Sequence, residues 1–207
     1  MSELLRKIAG GEGEQLDFKF RIDDKKKIAR TLAAFANTNG GSLLIGVKDN
    51  GKVAGVNPEE EFYMIEGAAS MYTNPQVSFD SRVWQEGHYL VLEIVVPKSM
   101  QKHKAKDEDS RWRSYTRVDD HTLMGNKILD RVWKLSEQGL SRPEAFDEST
   151  SEMLNCIRKN GPLSLSKLYR SLSLNKQTVD KLLSTLVYWE VVEMEMDESG
   201  TRYRVEG

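Results

Sequence analysis

The sequence predicts an α+β protein, a mixed sheet with flanking helices, followed by a small three-helix domain that ends in a β-hairpin. Three observations carry that expectation. Strand and helix patterns alternate from Gly13 to about Gln138. Ser42 to Val47 is a short, almost wholly apolar run, the kind buried on both faces of a sheet. The last stretch of about sixty residues switches to three helical periodicities and then to two alternating runs around a turn.

Taken in order, Gln15 to Phe20 alternates enough for a short strand. Asp23 or Asp24 caps a helix through "KKKIARTLAAFANT", with Ile28, Leu32, Phe35 and Ala36 on one face. Asn37 to Gly41 ends that helix, and Gly40 or Gly41 supplies a left-handed cap before the apolar strand. "KDNGK" is a hairpin turn, because Asn50-Gly51 tolerates positive φ. Gly46 and Gly55 suit a close backbone approach or a bulge. Pro58 and the acids after it open a helix, "PEEEFYMIEGAASMYT". "QVSFDSRVW", "HYLVLEIVV" and "SRWRSYTRV" read as strands, with "QEGH" turning between the first two. "LMGNKILDRVWKLSEQ" then closes the first domain as a helix, with Leu123, Ile128, Leu129, Val132 and Leu135 near one stripe.

These patterns place a first domain at residues 1–138, a linker at 139–148 and a second domain at 149–207. The second domain strings together "TSEMLNCIRKN", "SLSKLYRSL", "NKQTVDKLLSTLVYWE", "VVEMEM" and "TRYRVE", the order of a winged helix-turn-helix. An interaction domain of the same fold without a nucleic-acid role has the same pattern.

Composition narrows the function. The chain is 39% hydrophobic and 30% charged, with a net charge of −2, so any nucleic-acid surface must be local. Cys156 is the single cysteine, which builds neither a disulfide framework nor a zinc site. The opening "MSELLRKIAGGEGEQ" lacks the apolar core of a signal peptide, and a cytoplasmic location is expected. No G-x-x-x-x-G-K-[ST] and no G-x-G-x-x-G occurs, so nucleotide binding has no sharp motif behind it.

The strongest local charge lies between Lys98 and Arg117, where seven cations face three acids. His103, Trp112 and Tyr115 interleave with Lys102, Lys104, Arg111, Arg113 and Arg117, a pattern that pairs phosphates and stacks bases. A charge-guarded edge strand is the plainer reading. The Lys25–Lys27 run reads as a solvated helix start. Backbone N–H groups around Asn39, Gly40, Gly41 and Ser42 are candidates for phosphate oxygens. In the second domain Lys176, Gln177 and Lys181 face away from Val179, Leu182, Leu183 and Leu186, together with Asp180 and Ser184, and Lys176, Gln177 and Lys181 are candidate phosphate or base contacts. From Asp147 onward there are eight Lys/Arg and ten Asp/Glu, which weakens a lone DNA reader.

"GEGEQLDFKF", "IARTLAAFANTNGGSLLIGVKDNGKVAGV" and "YLVLEIVVPKSMQKH…SRWRSYTRVDDHT" together resemble the Schlafen-type AlbA-like domain, over roughly residues 10 to 122. The resemblance implies nucleic-acid binding, and bacterial relatives often carry a C-terminal helix-turn-helix. In some animal members it implies metal-dependent cleavage of structured RNA by three carboxylates. Two of these match Glu12 and Asp17 and the third Asp49, which would hold Mg²⁺ or Mn²⁺; Glu14 is a spare. Asp17 stands where Glu is usual, and Lys48 where a second Asp is common. Lys19 completes the family signature and joins the nucleic-acid set. Relatives also bear an ATP-binding label.

The resulting expectation is a DNA-binding transcriptional regulator that needs no cofactor for binding. Its alternatives are the metal-dependent endonuclease and an ATP-binding regulatory protein. Because animal members resemble two such lobes in one chain and this chain has one, a homodimer is expected, with Trp133 and Trp189 as candidate contacts.

Overall fold

The computed structural model describes residues 1–205, in two compact units, Met1–Gly125 and Asn126 onward. The first unit runs α1 (Glu3–Ala9), β1 (Leu16–Lys19), α2 (Lys25–Asn37), β2 (Gly41–Ile45), α3 (Pro58–Tyr72), β3 (Thr73–Asn74), β4 (Asp80–Glu86), β5 (Tyr89–Val96), β6 (Lys104–Lys106), β7 (Trp112–Val118) and β8 (His121–Met124). It is α+β, with helices flanking a mixed sheet of order β1-β2-β5-β4, in which only the β1–β2 pair is parallel. A second four-stranded sheet, β3-β6-β7-β8, is antiparallel throughout.

The central element is α2. Asp24 caps it, accepting from the N–H groups of Lys26 and Lys27, and the helix packs against α3, β5 and all four strands of the second sheet. Nine of its thirteen residues are buried, four of them alanines, and small side chains let elements approach from several sides at once. Asn37, at its end, is a buried staple: its amide donates to the carbonyls of His103 and Tyr115 at 2.8 Å each and accepts from His103 N–H.

The Asn-Gly-Gly stretch is explained by this packing. Gly40 has φ +72°, donates to the Phe35 carbonyl at 2.8 Å, and leaves no room for a Cβ against Val96. A Cβ on Gly41 would lie 2.5 Å from the Phe35 ring. Further on, the N–H groups of Ala54 and Gly55 both donate to the Gly46 carbonyl, the close approach expected of that glycine pair. The Asn50-Gly51 turn forms, but it is flanked by the single bridge Val47–Val53 rather than by a ladder.

The opposite face of the first sheet is covered by α1, an element with no assignment from sequence. Leu4 and Ile8 pack there with Phe18, Leu44, Trp84 and Val91. Lys7 reaches the buried Glu93 at 2.7 Å, and Trp84 Nε1 donates to the same carboxylate at 2.7 Å.

The second unit comprises α4 (Lys127–Gln138), α5 (Glu148–Asn160), α6 (Leu165–Ser171), α7 (Lys176–Tyr188) and the hairpin of β9 (Val192–Asp197) and β10 (Gly200–Val205). The helix expected to close the first domain belongs here instead. Asn126 caps it and also donates to Thr201 and Tyr203, while Ile128 is buried with Met153, Ile157, Leu183 and Tyr203. Leu123, counted on the same helical stripe, lies on β8 opposite Thr116.

This placement corrects a second expectation. Asp180 and Ser184, read as outward-facing, are buried, because α4 packs along α7. Asp180 pairs with Lys127 at 2.7 Å and accepts from the Tyr169 hydroxyl.

Candidate functional site

A polar cavity of about 450 Å³ opens in the first unit between α2, β1 and the β7–β8 hairpin. One wall is an ion-paired knot. Asp17, 5% exposed, receives Arg117 at 3.2 Å and Lys19 at 2.8 Å. Arg117 is itself buried: it donates to the Gly13 carbonyl and Thr122, and stacks on Phe35 at 5.1 Å. Glu12 accepts from Phe18 N–H at 2.8 Å. Burial pushes the Glu12 carboxyl up, its Phe18 hydrogen bond opposes this, and the neighbouring Asp17 adds to the rise.

Glu12 and Asp17 are thus together, as expected, but Asp49 does not join them. It sits exposed in the turn after β2, and among the described residues no three His, Cys, Asp or Glu are grouped to hold a metal ion. Asp17 already has an Arg and a Lys on its two oxygens. A divalent cation needs several free oxygen ligands, and these residues do not fit one. The three-carboxylate centre is therefore not formed by this geometry.

The other wall comes from α2, where Lys27, Arg30 and Thr31 share one face by their i, i+3, i+4 spacing. Lys26 ties this helix to the β6–β7 turn, donating to the Glu108 carbonyl at 3.0 Å and to Ser110 at 2.9 Å. Arg30 lies 3.5 Å from the exposed Glu108 carboxylate. Between the walls stands Tyr115, 3% exposed, whose hydroxyl has the Arg30 guanidinium beside it but no acceptor for its own proton. Burial pushes its pKa up, with the Arg30 guanidinium working against that.

The remaining predicted residues divide into exposed and engaged. Lys104 and Arg111 are exposed; Arg113 pairs with Asp107 at 3.3 Å. Lys102 turns inward to the Asn37 carbonyl, and burial, then Lys98, lowers its pKa. His103 is buried against the Pro75 carbonyl, and Tyr115 is too deep to stack a base. Arg117, expected as a surface phosphate contact, is a buried partner of Asp17 because β7 turns that side chain toward α2. In the Asn39–Ser42 loop the Gly40 and Ser42 N–H groups bond Phe35 and Gln15, and the Asn39 side chain meets Glu14 and Lys98. That loop offers no array of bare donors. On α7, Lys176, Gln177 and Lys181 are exposed, as expected.

Sequence reasoning missed Lys27, Arg30 and Tyr115 as neighbours. The helical spacing of the first two was visible, but their pairing with a strand some eighty-five residues later was not.

With this geometry in hand, comparison with known proteins defines the class. The model of the Schlafen AlbA_2 domain matches residues 12–124, more than half the chain. The chain belongs to that family. Among solved structures it is similar to the DIP2311 protein of Corynebacterium diphtheriae, at 18% identity and TM-score 0.45 over 91% of this chain. The chain spans 34% of that protein's length. It is also similar to the N-terminal domain of a RecG-related ATP-dependent DNA helicase homologue from Nitrosomonas europaea, at 17% identity and TM-score 0.35, covering 70% of this chain and 93% of that one. No curated protein matches it. Among the described residues no helix is long and apolar enough to cross a membrane.

Proposed function

We propose that this protein binds nucleic acid, DNA by preference, and acts as a transcriptional regulator. The observation that carries the reading is the bond from Lys26 to the β6–β7 turn. It sets the basic start of α2 beside a hairpin bearing Lys104, Lys106, Arg111 and Arg113. Lys106 lies 5.2 Å from the centre of the Trp112 ring, which is exposed, so cations and an aromatic face share one surface. Such a surface neutralises phosphates locally although the whole chain carries −2.

The second unit supports the preference for DNA. We read it as a winged helix: α5, α6 and α7 precede the hairpin, and Leu163 bridges to Tyr203 as a short third strand would. Lys176, Gln177 and Lys181 would then be the reading residues. The hairpin's own cations are largely engaged, since Arg204 meets Glu193 and Glu195 at 2.7 Å each. Weak affinity from one copy favours pairing, so we include a homodimer in the proposal. Trp189 is a poor candidate for its contact, because its indole N–H donates to the Leu140 carbonyl and its ring stacks on Phe146.

Duplex DNA binding by the full chain across a salt series tests this. The triple variant K106A/R111A/R113A should lower the log–log salt slope by about 0.9 for each phosphate that is no longer neutralised. An unchanged slope in the folded variant removes this surface. Light scattering that shows the mass of one 23.6 kDa chain, with and without DNA, removes the dimer.

A further inference from the structure

We propose that the cavity between α2 and β7 binds a phosphomonoester, the terminal phosphate of a nucleic-acid strand. The proposal rests on the nucleic-acid reading for its source of phosphate and on the cavity alone for its chemistry.

Three donors line this cavity without adequate partners. The Tyr115 hydroxyl is buried and finds no acceptor for its proton, its polar neighbour being the Arg30 guanidinium, itself a donor. A buried hydroxyl normally donates its proton, so one without an acceptor on a residue that lines a cavity marks the place of a missing acceptor. Lys27 makes no side-chain hydrogen bond or ion pair among the described residues, and the Arg30 guanidinium, beside the Tyr115 hydroxyl, has the solvent-exposed Glu108 carboxylate at 3.5 Å as its anionic partner. Two cations and a hydroxyl suit a dianion with several oxygens better than a carboxylate or a neutral group.

The opposite wall adds selectivity rather than charge. Asp17 is already satisfied by Lys19 and Arg117, so it neither repels a ligand strongly nor seeks a metal. At the rim, Asp24 and Asp120 are exposed carboxylates. A continuous strand crossing the opening would bring its flanking phosphates against Asp24, Asp120 and Glu108. A strand end presents one doubly charged group and avoids most of that repulsion. The volume, about 450 Å³, is within the range of small-ligand sites, about 300–1,000 Å³, and does not suit a long segment.

The test uses the full chain and matched oligonucleotides bearing a 5′-phosphate, a 3′-phosphate or no phosphate, with a free nucleoside monophosphate as competitor. Wild type should prefer one phosphorylated end by about tenfold, the scale of charge-assisted hydrogen bonds to one group. Y115F should abolish that preference and K27Q reduce it, with affinity for the unphosphorylated strand unchanged in Y115F. The variant keeps the ring, so an unaltered melting temperature controls for folding. Displacement by the monophosphate at the strand-end concentration would assign the source to a free nucleotide instead. Strand binding without any preference overturns the cavity while leaving the proposed function intact, as does a preference that survives Y115F. If no strand binds, calorimetry with the monophosphate decides: Tyr115-dependent binding sustains the phosphomonoester site, and silence overturns it.

Discussion

The helices α2 and α7 are each thirteen residues long, and each starts with Lys after an Asx cap, yet they end in opposite circumstances. α2 buries nine residues and has elements packed around most of its circumference. α7 buries five, and its Lys176, Gln177 and Lys181 remain in solvent. The caps and first residues therefore say where a helix begins, not what it is for. The difference lies in the next residues. Ala29, Ala33, Ala34 and Ala36 make α2 thin enough to be enclosed, and enclosure turns its polar residues into the walls of a cavity. α7 offers a surface.

That contrast predicts where polar side chains bear most on stability. Around α2 the most consequential is Arg117, whose guanidinium is almost inaccessible and answers the buried Asp17. R117A should destabilise the first unit by about 3 kcal/mol, since removing one partner of a buried pair leaves the other charge uncompensated. Lys19 remains to temper the loss. Urea unfolding measures it. The double variant D17N/R117A should recover part of the loss, and simple additivity of the two single variants would show that the pair is not coupled.

How much of this was legible follows from range. The α2 cap, the apolar β2 strand, the β4–β5 hairpin and the three helices before the last hairpin are local patterns, and each stands where its residues suggested. The boundary between units was not legible. Ile128, Leu129 and Val132 announce an amphipathic helix but not which core receives it, and the misassignment left Asp180 and Ser184 seeming exposed. The site split the same way. Glu12 and Asp17 were named through the family resemblance, and they do lie together. Arg117 looked like one more cation of a basic run, because strand alternation does not say which face meets a helix. α1 was passed over because seven residues carry too little periodicity to register.

Two carboxylates sharpen the comparison within the first unit, because the same substitution should act on them with opposite sign. Burial raises the pKa of Glu93, but hydrogen bonds from Lys7, Trp84 and Ser42 outweigh it and the net shift is down. Its stabilisation is present above the unfolded value of about 4.3 and is lost as the pH falls through the lower folded value. E93Q should cost about 1–2 kcal/mol at neutral pH and flatten the acid limb of the melting curve. Glu12 is shifted up, chiefly by burial, so its ionised form opposes folding as the pH rises through the folded value. E12Q keeps an acceptor for Phe18 N–H and should hold or raise the melting temperature at neutral pH. A loss as large as that of E93Q would mean the Glu12 charge is needed.

In the second unit the counterpart of Asp17 is Asp180, held by Lys127 and the Tyr169 hydroxyl. Y169F removes one of those two partners and leaves the ion pair. A loss of about 1 kcal/mol is expected, smaller than for R117A because the cation stays and Lys127 is half exposed to water. Unfolding of that unit, followed by Trp189 fluorescence, reports it. A loss equal to that of R117A would remove the distinction between an enclosed pair and one at a helix–helix seam.

The smallest effect on stability should come from the exposed face of α7, and there the comparison turns from folding to binding. Neither Lys176 nor Lys181 closes an ion pair among the described residues; Lys176 only lies 5.6 Å from the Tyr169 ring centre. K176A/K181A should leave the melting temperature where it is. If α7 reads DNA, the same variant should lower the salt slope on duplex DNA by about 1.8, two phosphates at about 0.9 each, and weaken all sequences alike. Q177A, by contrast, should shift preference among sequences with little change in slope, because an amide reads base edges without neutralising phosphate. A double-lysine variant with unchanged slope and unchanged stability would mean that α7 meets no phosphate. DNA contact would then have to come from the α2 and β6–β7 surface of the first unit.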